Sequence, residues 1–116
     1  MEWKPARIEE VKNIVETDLA NCDDEQLAIF RQYAVEAYAA PILRYGAMDA
    51  VVIVARRGNE VIYWEDVEEG FNIAPIAEDG RILVHWCNQD ELKHALNAWI
   101  DERKRTTKLG PAIPIK

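Results

Sequence analysis

The order of apolar and polar residues predicts two helices at the N-terminal end of the chain. Over residues 8–19, apolar residues recur three and four positions apart, which is the spacing of one buried face of an amphipathic helix. Asp23 is followed three positions later by Gln26, a capping-box pattern that marks the start of a helix. A second apolar stripe extends over residues 27–38, and Pro41 is expected to end the helix that carries it.

The middle of the chain changes to the pattern of β-strands. Residues 50–55 are apolar and largely β-branched, so we expect a central strand that is covered on both faces. Residues 57–59 form a turn sequence around Gly58, and residues 60–64 are expected to return as the second strand of a hairpin. Shorter strands are predicted at residues 42–45 and 81–86, and either an edge strand or a loop at residues 71–76, which contain Pro75.

The last part of the chain predicts a third helix and then an irregular tail. Asn88 and Glu91 form a second capping pattern. The residues after them carry an apolar stripe that includes Leu92, Leu96 and Trp99. Residues 109–116 contain one glycine and two prolines, which do not suit regular structure.

These elements predict a fold class and a domain boundary. Two N-terminal helices, a mainly antiparallel sheet of three to four strands and a C-terminal helix packed on the sheet make an α+β fold. At 116 residues the chain has the length of a single domain. The expected domain covers residues 1–108, and residues 109–116 form the irregular C-terminal tail.

Charge narrows the range of partners. The chain has 21 acidic and 14 basic residues, which gives a net charge of −7. A general nucleic-acid-binding protein neutralises phosphates with lysine and arginine, so we expect no direct binding of nucleic acid. No apolar run approaches the ~18 residues that span a membrane, and the first helix is not preceded by a secretory signal. We expect a cytoplasmic protein without membrane contact, either a monomer or a homodimer.

The cysteines and histidines do not have the spacing of a metal site. Cys22 and Cys87 are far apart, and neither His85 nor His94 belongs to a closely spaced ligand pair. His85 and Cys87 alternate around one residue, so they would share one face of a strand, where packing is their simplest role. We therefore expect no metal and no cofactor, and the sequence indicates no catalytic residue.

The densest acidic run follows the predicted hairpin and is flanked by aromatic residues. It can be interpreted as a solvated loop, as an acid–base pair beside an apolar wall, or as a binding surface for a basic partner. The sequence places no nucleophile, phosphate-binding glycine loop or oxyanion donor near it, which favours the first and the last interpretation. Trp64 is expected to be exposed. The candidate partner-binding residues are Trp64, Glu65, Asp66, Glu68, Glu69 and Phe71.

Three segments carry a family resemblance: the strand and acidic run EVIYWEDVEEGF at residues 60–71, the turn and strand at residues 79–82, and the helix at residues 88–99. In these segments the chain resembles the small immunity proteins of bacterial toxin systems. The resemblance implies a single acidic cytoplasmic domain that binds and blocks a cognate toxin. It implies no particular toxin and transfers no functional residue.

The leading hypothesis is a non-catalytic binding module, an immunity or inhibitor protein that neutralises a basic partner such as a toxin nuclease by binding its cleft. Carboxylates beside aromatic rings would imitate phosphate and steer a positive cleft onto this surface. The alternative is a small ligand-binding or enzymatic domain, with a pocket between sheet and helices and His85 and the acidic run at its mouth. A further alternative is a homodimeric structural subunit joined through an edge strand at residues 42–45 or 71–76.

Overall fold

The computed structural model describes residues 5–44, 46–66, 69–84 and 90–109. These residues form three helices and four strands in the predicted order, with two helices before the sheet and one after it. The elements are α1 (Pro5–Leu19), α2 (Asp24–Tyr33), β1 (Ala34–Arg44), β2 (Ala47–Arg57), β3 (Glu60–Glu65), β4 (Gly70–Pro75) and α3 (Leu92–Leu109). The predicted α+β fold class is confirmed.

The four strands form one sheet in the order β1-β2-β3-β4, and all neighbouring strands are antiparallel. The predicted hairpin is present, because Arg57 at the end of β2 pairs with Glu60 at the start of β3. Gly58 in this turn has a φ of +62°, a left-handed conformation that two-residue hairpin turns need and that glycine adopts without strain. Residues 71–76, predicted as an edge strand or a loop, contribute the edge strand β4.

The helices cover one face of the sheet, which we call the helix face. Its buried side chains include Val52 and Val54 of β2, Ile62 of β3 and Phe71 of β4, and they pack with apolar residues from all three helices. Trp99 of α3 is among the largest buried side chains in this cluster. The C-terminal helix therefore packs on the sheet as the sequence predicts.

The opposite face of the sheet, which we call the closed face, has a separate apolar cluster. It includes Val51, Ile53, Val61 and Tyr63, and all four side chains have no exposed surface. These residues alternate along their strands with those of the helix face, as strand geometry requires. Because both faces of the sheet are buried at the middle of β2, consecutive residues there are apolar.

A short segment around Ile82 joins the two edges of the sheet. The N–H of Ile82 donates to the carbonyl of Pro41 in β1 at 2.9 Å, and the N–H of Leu83 donates to the carbonyl of Pro75 in β4 at 3.0 Å. Successive N–H groups of an extended chain point to opposite sides, so this segment lies between β1 and β4. The strand predicted at residues 81–86 is limited, within the described residues, to the bridges at Ile82; residues 85 and 86 lie outside them.

The boundary between α2 and β1 differs from the prediction. Residues 34–38 were predicted to continue the second helix, but α2 ends at Tyr33 and Ala34 already has extended φ and ψ of −62° and 143°. Pairing of β1 with β2 overrides the helix preference of the alanines in this segment. Pro41 lies within β1, an edge strand, where its missing N–H is tolerated.

Two capping interactions fix the helix starts. The predicted capping box is confirmed: the N–H of Gln26 donates to the carboxylate of Asp23, and the Gln26 side chain accepts from the N–H of Asp23, both at 2.8 Å. At α3, the N–H of Leu92 donates to the carboxylate of Asp18 from the end of α1 at 3.0 Å. Asn88, the predicted cap of this helix, lies outside the described residues, as do residues 110–116 of the predicted tail.

No helix formed by the described residues combines the length and the apolar character that crossing a bilayer requires.

Candidate functional site

The predicted partner-binding residues lie at the end of β3, in the turn that follows and at the start of β4. Glu68 lies outside the described residues. Two of the others, Glu65 and Phe71, are buried, whereas Trp64 and Asp66 are half-buried and Glu69 is exposed. The segment is therefore not one continuous exposed surface, and its members have different roles.

The two aromatic residues of the set belong to the helix face. Trp64 and Phe71 are cross-strand partners, and their ring centroids lie 5.0 Å apart in an edge-to-face arrangement. Phe71 is 1% exposed and belongs to the apolar cluster beneath the helices, and Trp64 packs against that cluster. The prediction that Trp64 is exposed is wrong, because its side chain is half-buried. The alternation of β3 puts Ile62 and Trp64 on the helix face, which the helices cover.

Glu65 is the second correction, because its side chain is fully buried. It alternates with Val61 and Tyr63 along β3 and therefore points to the closed face. Both carboxylate oxygens accept hydrogen bonds from Nη1 of Arg44, at 2.8 and 2.6 Å. A carboxylate that is both buried and paired does not offer its charge to a partner.

Arg44 is the centre of a charged cluster at this end of the sheet. Its side chain is 3% exposed, and besides Glu65 it donates to Asp49 from Nε at 3.2 Å and from Nη2 at 2.8 Å. Nη2 also donates to Asp66 at 2.9 Å, and Asp66 forms a second ion pair with Arg7 of α1. We call these five residues the Arg44 cluster; it joins β1, β2 and α1 to the end of β3.

The sequence interpretation missed Arg44, although the sequence contains a signal for it. Arg44 alternates with Ala40 and Ile42, both of which are buried on the closed face. An arginine at the next position of the same face must be paired if it is buried. Glu65 is likewise the last residue of β3 and shares its face with Val61 and Tyr63. A charge of each sign at the end of an apolar strand face was the observable clue.

The hydrogen bonds of the cluster shift the pKa values of Asp49 and Arg44 in opposite directions. Hydrogen bonds from the Arg44 guanidinium, and then from the N–H of Ala50, hold the pKa of Asp49 below its ordinary value. Burial acts against the charged form of Arg44, but its hydrogen bonds to Asp49, Asp66 and Glu65 outweigh this effect and raise its pKa. Both shifts favour the charged forms of Asp49 and Arg44, as expected of an ion pair.

Glu69 stays a predicted contact residue, and its position in the structure is compatible with that prediction. Its side chain is exposed, and it forms no ion pair with a cation among the described residues. Its φ is +59°, in the left-handed region that costs a residue other than glycine about 1 kcal/mol. A carboxylate held at a strained position in an exposed turn is a candidate contact residue.

Other exposed carboxylates extend along the two N-terminal helices. Glu9 and Glu36 share one cation, Lys12, at 3.6 and 3.1 Å. The exposed carboxylates without an ion-pair partner among the described residues in this region include Glu10, Glu16 and Asp24. Arg7 in the first turn of α1 contacts Asp66 at the end of β3, and Glu10 follows Arg7 by one helical turn.

Of the thiol and histidine candidates, the structure describes Cys22 and His94. The Cys22 thiol donates to the carbonyl of Asp18 at 3.5 Å, and burial, with a further contribution from the Asp18 carboxylate, raises its pKa. His85 and Cys87 lie outside the described residues. Among the residues that the structure describes, no group of three or more His, Cys, Asp or Glu side chains is arranged to hold a metal ion.

A depression of about 400 Å³ lies between β4 and α3. Its lining includes Phe71, Ile73, Asp90 and His94. Asp90 and His94 are exposed, and Nδ1 of His94 accepts a hydrogen bond from the N–H of Glu91 at 3.2 Å. The described lining thus contains apolar residues, buried Asn72 and two solvent-exposed polar side chains. Comparison of the chain with protein-family models, with curated proteins and with solved structures finds no match.

Proposed function

We propose that this chain is a small acidic protein-binding domain that neutralises a basic protein, such as a toxin nuclease, by covering its cationic cleft. One observation carries the proposal: exposed carboxylates on α1, on α2 and in the turn after β3 have no cation to neutralise them among the described residues. Such a surface attracts a positively charged partner over several ångströms and raises the association rate. Binding is the function, and no chemical step is assigned to the chain.

The contact residues we assign differ from the full set predicted from the sequence. Glu65 and Phe71 are buried, and Asp66 is held between Arg44 and Arg7. Glu69 remains from the predicted set, and Glu10 joins it, because it lies one helical turn after Arg7, which pairs with Asp66. These two carboxylates are the centre of the surface that we expect a partner to contact.

The alternative of a ligand-binding or enzymatic domain has less support. The depression between β4 and α3 would have to provide its site, and the titratable groups in its described lining are Asp90 and His94. An enzyme site usually gathers several polar groups that converge in an enclosed apolar pocket. Both of these groups instead lie at the solvent-exposed rim.

The test measures binding to the most basic protein encoded beside this chain in its own genome. Isothermal titration calorimetry is carried out at about 50 mM and about 300 mM salt, because ion-pair contacts weaken as screening increases. We expect the double variant Glu10→Lys, Glu69→Lys to weaken binding by more than about tenfold and to reduce the dependence of affinity on salt.

A matched control separates a local surface from total charge. Glu78 and Asp101 are also exposed and have no ion-pair partner among the described residues, so Glu78→Lys, Asp101→Lys changes the net charge by the same amount. We expect this control to retain affinity within about twofold. Equal losses in the two double variants would contradict the assigned surface, and the absence of binding to any basic neighbour would contradict the proposed function.

A further inference from the structure

The depression between β4 and α3 has an apolar wall that both elements contribute to. Phe71 and Ile73 of β4 and Ala95 of α3 line it, and all three belong to the cluster beneath the helices or pack against that cluster. Its volume of about 400 Å³ lies within the range of about 300–1,000 Å³ that is usual for binding clefts. The chain therefore has a concave apolar surface that a side chain of a partner can enter.

A negative charge lies at the same depression. Asp90 lines it and is exposed, and its carboxylate forms no ion pair with a cation among the described residues. His94 also lines it, but Nδ1 of this ring accepts a hydrogen bond from the N–H of Glu91, so the imidazole is neutral while that bond is present. Lys93 lies 3.6 Å from Glu91, and these two opposite charges offset each other. The described groups at the depression therefore favour a cation.

Asp90 adjoins a carboxylate that we assign to partner contact, Glu69. The N–H of Phe71 donates to the carbonyl of Asp90 at 2.8 Å, and Glu69 precedes Phe71 by two residues. Glu69 and Asp90 are both exposed, so two carboxylates lie beside the start of β4. The depression thus adjoins the surface around Glu69.

The combination of an apolar wall and a carboxylate identifies the chemistry of an occupant. It suits a side chain that is apolar along its stem and positive at its end, as lysine and arginine are. Arginine fits better, because its guanidinium can donate two parallel hydrogen bonds to one carboxylate. An acidic side chain, including one from a second copy of this chain, would be repelled by Asp90.

We infer that the depression between β4 and α3 is an anchor site for an arginine side chain of the basic partner. The stem of the arginine would lie against Phe71, Ile73 and Ala95, and its guanidinium would pair with Asp90. A side chain that fills a pocket on the other protein is the usual form of a binding hot spot, and arginine is enriched at such positions. The inference rests on the proposed function, since it names how the basic partner is held.

The experiment uses two capped pentapeptides with glycine on both sides of the central residue. The central residue is arginine in one peptide and citrulline, an uncharged analogue of nearly the same shape, in the other. Binding to the full chain is followed by NMR, with the methyl groups of Ile73 and Ala95 as reporters. We expect the arginine peptide to shift these signals and to bind about fivefold more tightly than the citrulline peptide.

Matched variants test the charge and the shape of the site separately. Asp90→Asn should make the arginine peptide bind as weakly as the citrulline peptide, whereas Asp101→Asn, which removes an exposed carboxylate elsewhere on α3, should change binding by less than about twofold. Ala98→Leu adds apolar bulk at an exposed lining residue and should weaken binding by more than about fivefold. The same change at Ala39, which is exposed on β1, should leave binding unaltered. All four positions are exposed, where substitutions rarely prevent folding.

Several results would overturn the inference. They are equal binding of the two peptides, binding of neither, shifts confined to residues away from the depression, and unaltered binding in both Asp90→Asn and Ala98→Leu. The genomic partner separates these results from a failure of the proposed function. If Glu10→Lys, Glu69→Lys weakens binding of that partner and Ala98→Leu does not, the anchor site is wrong and the proposed function stands. If the arginine peptide binds at the depression and no basic neighbour binds the chain, the proposed function is wrong.

Discussion

Two arginines at opposite ends of the sheet form carboxylate pairs in very different surroundings. Arg44, beside the turn after β3, has a side chain that is 3% exposed, and its partner Glu65 is fully buried. Arg57, at the β2–β3 hairpin, is 22% exposed and pairs with Glu60 at 3.2 Å and with Glu102 of α3. The guanidinium of Arg57 also lies 4.9 Å from the centroid of a Trp99 ring.

The difference in burial means that breaking the two ion pairs should cost different amounts of stability. Removing one member of a buried pair leaves an uncompensated charge away from water, whereas the members of an exposed pair are hydrated when they separate. Arg44 is therefore part of the buried interior of the closed face, like the apolar residues there. Arg57 instead fastens α3 to the sheet, where Nε1 of Trp99 also donates to Glu60 at 2.9 Å.

The largest expected effect comes from replacing each arginine by methionine, which keeps much of the side-chain volume. Arg44→Met should lower the free energy of unfolding by about 3–5 kcal/mol, because Glu65 is left buried without its cation. Arg57→Met should lower it by about 1 kcal/mol, through the loss of partly exposed ion pairs and a cation–π contact. Urea denaturation followed by tryptophan fluorescence measures both. Equal losses in the two variants would remove the distinction between the two ends of the sheet.

A second change separates the buried charge from the packing of the arginine. In the double variant Arg44→Met, Glu65→Leu, the buried carboxylate that loses its ion pair with Arg44 is also removed. We expect the double variant to recover about 2 kcal/mol relative to Arg44→Met, because an apolar replacement of a buried ion pair is often nearly neutral. The same denaturation measurement applies, with Arg57→Met, Glu60→Leu as the matched pair at the exposed end. A double variant no more stable than Arg44→Met would show that packing, not the buried charge, dominates the loss.

Local patterns in the sequence were sufficient for most of the fold. The capping box at Asp23 and Gln26, the hairpin turn at Gly58 and the apolar core of β2 are short-range signals, and the structure contains all three. The start of β1 at Ala34 was not predictable in this way. Its alanines suit a helix locally, and only pairing with β2, a contact distant in sequence, makes the segment a strand.

The candidate site depended even more on distant contacts. Glu65 belongs to an acidic run in the sequence, and a run of carboxylates usually lies in solvent. Its burial follows from the alternation of β3 and from Arg44, which is 21 positions away. Glu69 was placed correctly in the exposed turn because its position depends on the turn alone. The depression between β4 and α3 could not be recognised either, because it exists only where the folded helix packs beside the strand.

The smallest expected effect is a change in how stability depends on pH. The two residues to compare are Asp49 in the Arg44 cluster and Asp79, which forms an exposed pair with Arg81. The pKa of Asp49 is lowered first by its hydrogen bonds from Arg44, and that of Asp79 first by the N–H of Arg81. A carboxyl whose pKa is lower in the folded chain adds stability above its unfolded value, near 3.8, and this stability is lost as the pH falls through the folded value. Urea titrations between about pH 2 and about pH 7 should therefore show a shallower acid loss of stability in Asp49→Asn than in the unmodified chain. The change in Asp79→Asn should be smaller, since both members of its pair are more than half exposed and water screens their interaction; a larger change in Asp79→Asn would mean that Arg44 does not hold Asp49 as the structure indicates.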